Sequence, residues 1–113
     1  MPTPVDVALS RSKGELRIEW EDGSFSTLPI HYIRAWCPCA GCQGHGTVVR
    51  YQAADPEIGI ELMAEAGAYA LHLKFSDGHD SGIYTWDWLQ RIAPESAPAG
   101  YKHGSFQKGQ FQA

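Results

Sequence analysis

Val5, Val7 and Leu9 alternate with polar or small neighbours, and Leu16, Ile18 and Trp20 do the same. Apolar residues at every second position mark a strand with one buried face, so both stretches are expected to be strands. Glu21-Asp22-Gly23-Ser24 follows as a turn, because Asp-Gly tolerates the positive φ of a tight hairpin. Phe25 to Leu28 is the return strand. Pro29 suits the first turn of a short helix whose core-facing residues are Ile30, Ile33 and Trp36.

The same order recurs downstream. Tyr69, Leu71, Leu73 and Phe75 alternate, Asp77-Gly78 turns, and Gly82-Ile83-Tyr84 returns. Thr85 is then an N-cap, with Asp87 in the first turn where a negative charge suits the helix dipole. Trp88, Leu89 and Ile92 make the apolar face, and Pro94 stops the helix. Leu16 with Leu71, Ile18 with Leu73, Trp20 with Phe75 and Asp22 with Asp77 share a spacing of 55 residues. A hairpin followed by a short helix is therefore expected twice, as a pseudo-repeat. Gly41 to Gly59 reads as irregular, with Gly44, Gly46 and Pro56 as breakers. Ile60 to Met63 reads as one further strand. The fold class is α+β: a small, mainly antiparallel β-sheet domain with one or two short helices.

Composition narrows this picture. With 113 residues, one compact domain is expected. Hydrophobic residues form 43% and charged residues 19%, which is not the balance of a disordered chain. No apolar run approaches a membrane span and no leader is recognisable, so a cytoplasmic protein without membrane contact is expected. A net charge of −4 argues against a nucleic-acid partner, whose phosphates demand clustered Lys and Arg. Residues 96–113 hold Lys102 and Lys108 and none of the 13 acids. They are rich in Gly and Gln, and Tyr101, Phe106 and Phe111 share no period. This segment reads as a flexible tail beyond a domain of residues 1–95.

Cys37, Cys39 and Cys42 are the only cysteines, and they form a C-x-C-x-x-C run containing Pro38 and Gly41. Thiolates are soft ligands suited to zinc, iron or copper(I). Pro38 fixes φ between two of them, and Gly41 permits the turn that brings the third around. A tetrahedral ion needs a fourth ligand, here a His. His31, His72 and His103 read as ordinary helix, sheet and tail residues. His79, at the tip of the second hairpin, is the first candidate; it reaches the cysteine loop if the two units pack side by side. His45, in Cys42-x-x-His45, is the alternative. A disulfide would leave one thiol over, and the chain lacks the βαβ pattern around a redox C-x-x-C.

Together these residues carry a resemblance. Ile33-Arg34, Cys37-Pro38-Cys39-Ala40-Gly41-Cys42, Gly67-Ala68-Tyr69-Ala70-Leu71, Phe75-Ser76-Asp77-Gly78-His79 and Ser81-Gly82-Ile83-Tyr84 are similar to the gamma-butyrobetaine hydroxylase-like N-terminal domain family, over roughly residues 5–93. The resemblance implies a small stand-alone bacterial member. It also implies relatives joined to Mrp-type ATPases of iron–sulfur cluster assembly, and others at the N-terminus of carnitine-pathway dioxygenases. In those dioxygenases the domain carries a zinc held by three Cys and one His, which implies Cys37, Cys39, Cys42 and His79 as ligands. No His-x-Asp/Glu pair with a later His offers a facial triad here, so the iron- and 2-oxoglutarate-dependent activity does not carry over. Phe75 stands where Trp is common in the family.

The expected function follows. The chain reads as a non-enzymatic, metal-binding accessory module, with zinc the expected ion and iron the alternative. A Cys₃His site stabilises a small domain by tying a loop to a hairpin. Asp77 or Asp80 accepts the proton of the non-ligating nitrogen of His79, or Asp77 only caps the turn. Three further readings are an iron-handling or iron–sulfur assembly accessory factor, a thiol redox protein, and an interaction module. A protein partner, such as an iron–sulfur assembly ATPase, goes with the first of these. Trp36, Trp86, Trp88 and the tail would form the surface of the last. The native metal and the oligomeric state stay open.

Overall fold

A computed structural model describes residues 3–39, 48–97 and 100–113. The first unit is a three-stranded antiparallel sheet, β1 (Pro4–Ser10), β2 (Glu15–Trp20) and β3 (Phe25–Pro29), followed by helix α1 (Ile30–Ala35). The second unit repeats that plan with β5 (Ile60–Ala66), β6 (Ala70–Phe75), β7 (Gly82–Thr85) and helix α2 (Trp86–Ile92). Between them lies β4 (Val48–Arg50), and a 3-10 turn (Pro94–Ser96) leads to β8 (Ser105–Gln107) and β9 (Gln110–Gln112). These last strands form a third antiparallel sheet in the order β4-β8-β9. The architecture is α+β, as the alternation and turn signals predict. Among the described residues no helix is long and apolar enough to cross a membrane.

The repeat is structural and larger than the hairpin and helix expected from spacing. It includes β1 and β5, each paired antiparallel to the next strand and each carrying an irregularity near its start, at Pro4/Asp6 and Ile60/Leu62. Leu16 faces Leu28 in the first hairpin, and Leu71 faces Tyr84 in the second, with one residue more between them. The second hairpin is therefore longer by one residue. The helices follow with the shifted spacing, so that Ile30 and Ile33 correspond to Trp86 and Leu89. Thr85 caps α2 as expected, its Oγ1 accepting from the backbone N–H of Trp88 at 3.0 Å.

The inner faces of both sheets meet in one core. Leu16, Ile18, Trp20 and Leu28 pack with Leu71, Leu73, Phe75 and Tyr84, while Ile33, Leu89 and Ile92 close it from the helices. Trp20 and Trp86 meet edge to face, with centroids 6.4 Å apart. Val5 escapes the alternation: it lies at the bulge of β1 and is exposed, whereas Val7 and Leu9 pack on the core.

Three expectations need correction. The stretch from Gly41 to Gly59 is not wholly irregular, because Val48–Arg50 pairs with Ser105–Gln107. Residues 96–113 do not form a detached tail. Phe106 is buried beside Trp36 and Trp88, at centroid distances of 5.2 and 5.1 Å, and Tyr101 meets it edge to face at 5.0 Å. The aromatic spacing carries no period because a hairpin and a turn, not one regular element, aim these side chains at one cluster. The expected surface of Trp36, Trp86 and Trp88 is also turned inward: Trp36 and Trp86 are buried, and Trp88 packs against the core.

Candidate metal centre

The end of α1 brings in the first thiol. The backbone N–H groups of Trp36 and Cys37 still donate to helical carbonyls, that of Cys37 to Arg34 at 3.2 Å. Cys37 is thereby held at the helix end with its side chain in the core, fully buried. Pro38 cannot continue the helical hydrogen bonding, and Cys39 leaves at the surface side, partly exposed. Side chains of the second unit complete the helix terminus. Tyr84 donates its hydroxyl to the Ile33 carbonyl at 2.8 Å, and Trp88 donates Nε1–H to the Trp36 carbonyl at 3.0 Å.

The tip of the second hairpin brings in the imidazole. Gly78 adopts φ of 88°, which its missing side chain permits without strain. The His79 carbonyl accepts from the N–H of Phe75 at 2.9 Å, and the His79 N–H donates to Asp77 Oδ1 at 2.9 Å. His79 then points Nε2 at both sulfurs, 3.2 Å from Cys37 Sγ and 3.3 Å from Cys39 Sγ. The three ligating atoms all lie within 4.8 Å of one another. Neither thiol is in a disulfide.

This donor set fits a tetrahedral ion. Zinc bonds of about 2.3 Å to sulfur and about 2.0–2.1 Å to nitrogen place the two ligand atoms about 3.6 Å apart. The observed separations fall a few tenths of an ångström below that. Cys42 and His45, the expected third thiol and the alternative imidazole, lie outside the described residues.

The surroundings differ in part from the expectation. Asp77 takes the turn-capping role, and its Oδ2 also accepts from Arg34 Nε at 3.1 Å. Asp80 turns to the sheet instead, where its Oδ1 lies 3.2 Å from His72 Nε2. Arg34 thus ties the last turn of α1 to the hairpin that carries His79. Ser81 donates its hydroxyl to Cys39 Sγ at 3.7 Å, a contact that favours a thiolate. Neither role is readable from spacing, since both depend on how the units dock. Burial, with the nearby Arg34 charge second, lowers the His79 pKa and so favours the neutral ring, while Asp77 and Asp80 oppose the shift. Burial pushes Asp77 upward, but the His79 N–H and Arg34 outweigh it and hold its carboxyl below the usual range.

Fold and site together define a small α+β domain built from two sheet-and-helix units, with a Cys–Cys–His group able to hold an ion where they meet. The chain belongs to the family described as "Gamma-butyrobetaine hydroxylase-like, N-terminal", which matches residues 7–90. A crystal structure from Acidithiobacillus ferrooxidans, of a protein described as of unknown function and of the DUF971 family, is similar with a TM-score of 0.65. The two share 30% identity over 79% of this chain and 90% of that one. Two NMR solution structures are also similar. One has a TM-score of 0.70 and 31% identity over 87% of this chain and 74% of its own, the other 0.64 and 32% over 84% and 75%. No curated protein matches the sequence.

Proposed function

We propose that the chain is a metal-binding accessory module, in which Cys37, Cys39, Cys42 and His79 hold one structural zinc ion and no reaction is catalysed. The convergence of Cys37 Sγ, Cys39 Sγ and His79 Nε2 within 4.8 Å carries this reading. Two thiols and an imidazole form a soft donor set, and three cysteines with one histidine close a tetrahedral shell against substrate. The ion then ties the end of α1 to the hairpin of the second unit, so its contribution is to the fold. With no reaction of its own, the module acts through a protein partner.

Metal content of the purified chain, measured by elemental analysis after metal-replete expression, tests this. The expected result is one zinc per chain, lost in Cys39→Ser and His79→Ala and kept in His45→Ala. Zinc retained by His79→Ala and lost by His45→Ala overturns the assignment of the fourth ligand. A chain without metal, whose three thiols titrate freely, overturns the metal reading itself.

A further inference from the structure

We propose that the groove between β1 and β5 is the docking site for an extended, basic segment of a partner protein. The inference goes beyond the metal reading, since the groove shares no residue with the Cys–Cys–His group. It has a volume of about 350 Å³, with Leu71 and Trp86 in its lining beside Val5, Val7 and Met63. Leu71 and Trp86 are buried, whereas Val5 is 56% exposed. The site therefore offers an apolar floor with an accessible apolar lip, a form that accepts one or two side chains of a strand.

The backbone on both sides is open. The other edge of the first sheet is closed, because both carboxylate oxygens of Glu95 accept from the Thr27 N–H at 3.1 and 3.2 Å. Among the described residues, Val5 to Leu9 and Glu61 to Ala66 make no backbone hydrogen bond beyond those to β2 and β6. Open edges of this kind pair with an added strand.

Charge selects the occupant. Asp6 and Glu65 line the groove, and no Lys or Arg does. Asp6 also stands directly opposite Glu19 across the β1–β2 ladder. Like charges in that position repel, and among the described residues Asp6, Glu19 and Glu65 form no ion pair. A segment that alternates apolar residues with Lys or Arg fills the floor, adds ladder hydrogen bonds and relieves this repulsion.

The test uses the full chain, metal-loaded, with a synthetic peptide alternating Lys with Leu and Val, and its counterpart with Glu for Lys. The expected result is saturable binding of the Lys peptide alone, with amide NMR shifts confined to residues 4–9 and 62–66. Combined Asp6→Lys and Glu65→Lys should weaken binding about tenfold or more. Val5→Lys, at an exposed position that leaves the core intact, should weaken it as well. The proposal is overturned by absent binding, by equal binding to these variants, or by shifts that map elsewhere. It is overturned too if sedimentation shows the same edges pairing two copies of this chain.

Discussion

His79 and Ser24 occupy the same place in two copies of one turn. Each donates its backbone N–H to the Asp two positions earlier, Asp77 or Asp22, at 2.9 Å. Each carbonyl accepts at 2.9 Å from the N–H of the aromatic that ends the preceding strand, Phe75 or Trp20. Gly78 and Gly23 share φ of 88°. Beyond the backbone the two copies part. The Ser24 hydroxyl donates back to Asp22 at 2.6 Å, whereas the His79 ring reaches across to Cys37 and Cys39. The turn is a shared scaffold, and one copy of it presents a side chain able to ligate a metal.

Equivalent substitutions in the two turns should therefore separate folding from metal retention. Asp77→Ala removes the acceptor for the His79 N–H and the anchor for Arg34, at a cost of about 1 kcal/mol. It should also release zinc to a chelator about tenfold faster, because the imidazole is no longer held in place. Asp22→Ala disturbs the matching turn and should leave the release rate unchanged. Thermal denaturation and chelator competition measure the pair; equal release rates from both variants would show that the Asp77 turn plays no part in the site.

Much of this was legible in residue order. Period-two alternation and two Asp-Gly turns locate the hairpins, and Thr85 marks the start of α2. Side-chain period is local, and so are turn and cap chemistry. Other features are set by docking. Tyr101 and Phe106 read as tail residues because their partners, Trp36 and Trp88, lie far away in the chain. Val48–Arg50 is three residues long, too short to show alternation, and is a strand only because β8 lies beside it. Asp80 is adjacent to His79 in sequence, yet it pairs with His72. The extra residue of the second hairpin is likewise hidden, since a constant spacing of 55 fits everything up to the tip.

The C-terminal hairpin lies beyond the family match, yet it should be required for metal retention. Trp36, immediately before Cys37, donates its Nε1–H to the Tyr101 carbonyl and packs on Phe106. On the far side of the cysteine run, Val49 is paired with Phe106. Phe106 thus bears on both flanks of the segment that carries the thiols, through its ring at Trp36 and through its backbone at Val49. Phe106→Ala should cost about 3–5 kcal/mol as a cavity in this cluster. It should also speed zinc release more than Val7→Ala, a truncation on β1 away from the site. Comparable acceleration by the two variants would reduce the hairpin to general stability.

Tyr32 should make the fold alkali-sensitive. It is buried, its hydroxyl donates to the Ile92 carbonyl, and it accepts from the Tyr101 N–H at 3.0 Å. Burial is the main reason its pKa is pushed up to about 12. A folded pKa above the unfolded value near 10 stabilises the native state below pH 10, and that contribution is lost as pH rises through about 12. Tyr32→Phe should lose about 1–2 kcal/mol at neutral pH, by leaving the Tyr101 N–H and Ile92 carbonyl unpaired. Its stability should then fall less between pH 10 and 12. Urea midpoints at pH 7 and 11 give both quantities.

His79 should contribute to the acid sensitivity of the metal-free chain. Its pKa lies below the ordinary 6.5, chiefly through burial and then through Arg34. The folded state thus holds the ring neutral more strongly than the unfolded state does. The resulting stability is present above pH 6.5 and is lost as pH falls through the depressed value. His79→Gln keeps a polar side chain at the turn but removes the titration, so the stripped variant should lose less stability than stripped wild type between pH 7 and 5. In the loaded protein the dependence should be steeper, because protons compete with the ion for the thiolates as well as the imidazole. Thermal midpoints of both proteins, with zinc and after chelation, provide the comparison. A stripped wild type and a stripped His79→Gln with the same acid slope would assign the sensitivity to other groups, while a loaded wild type no steeper than the stripped one would count against thiolate ligation.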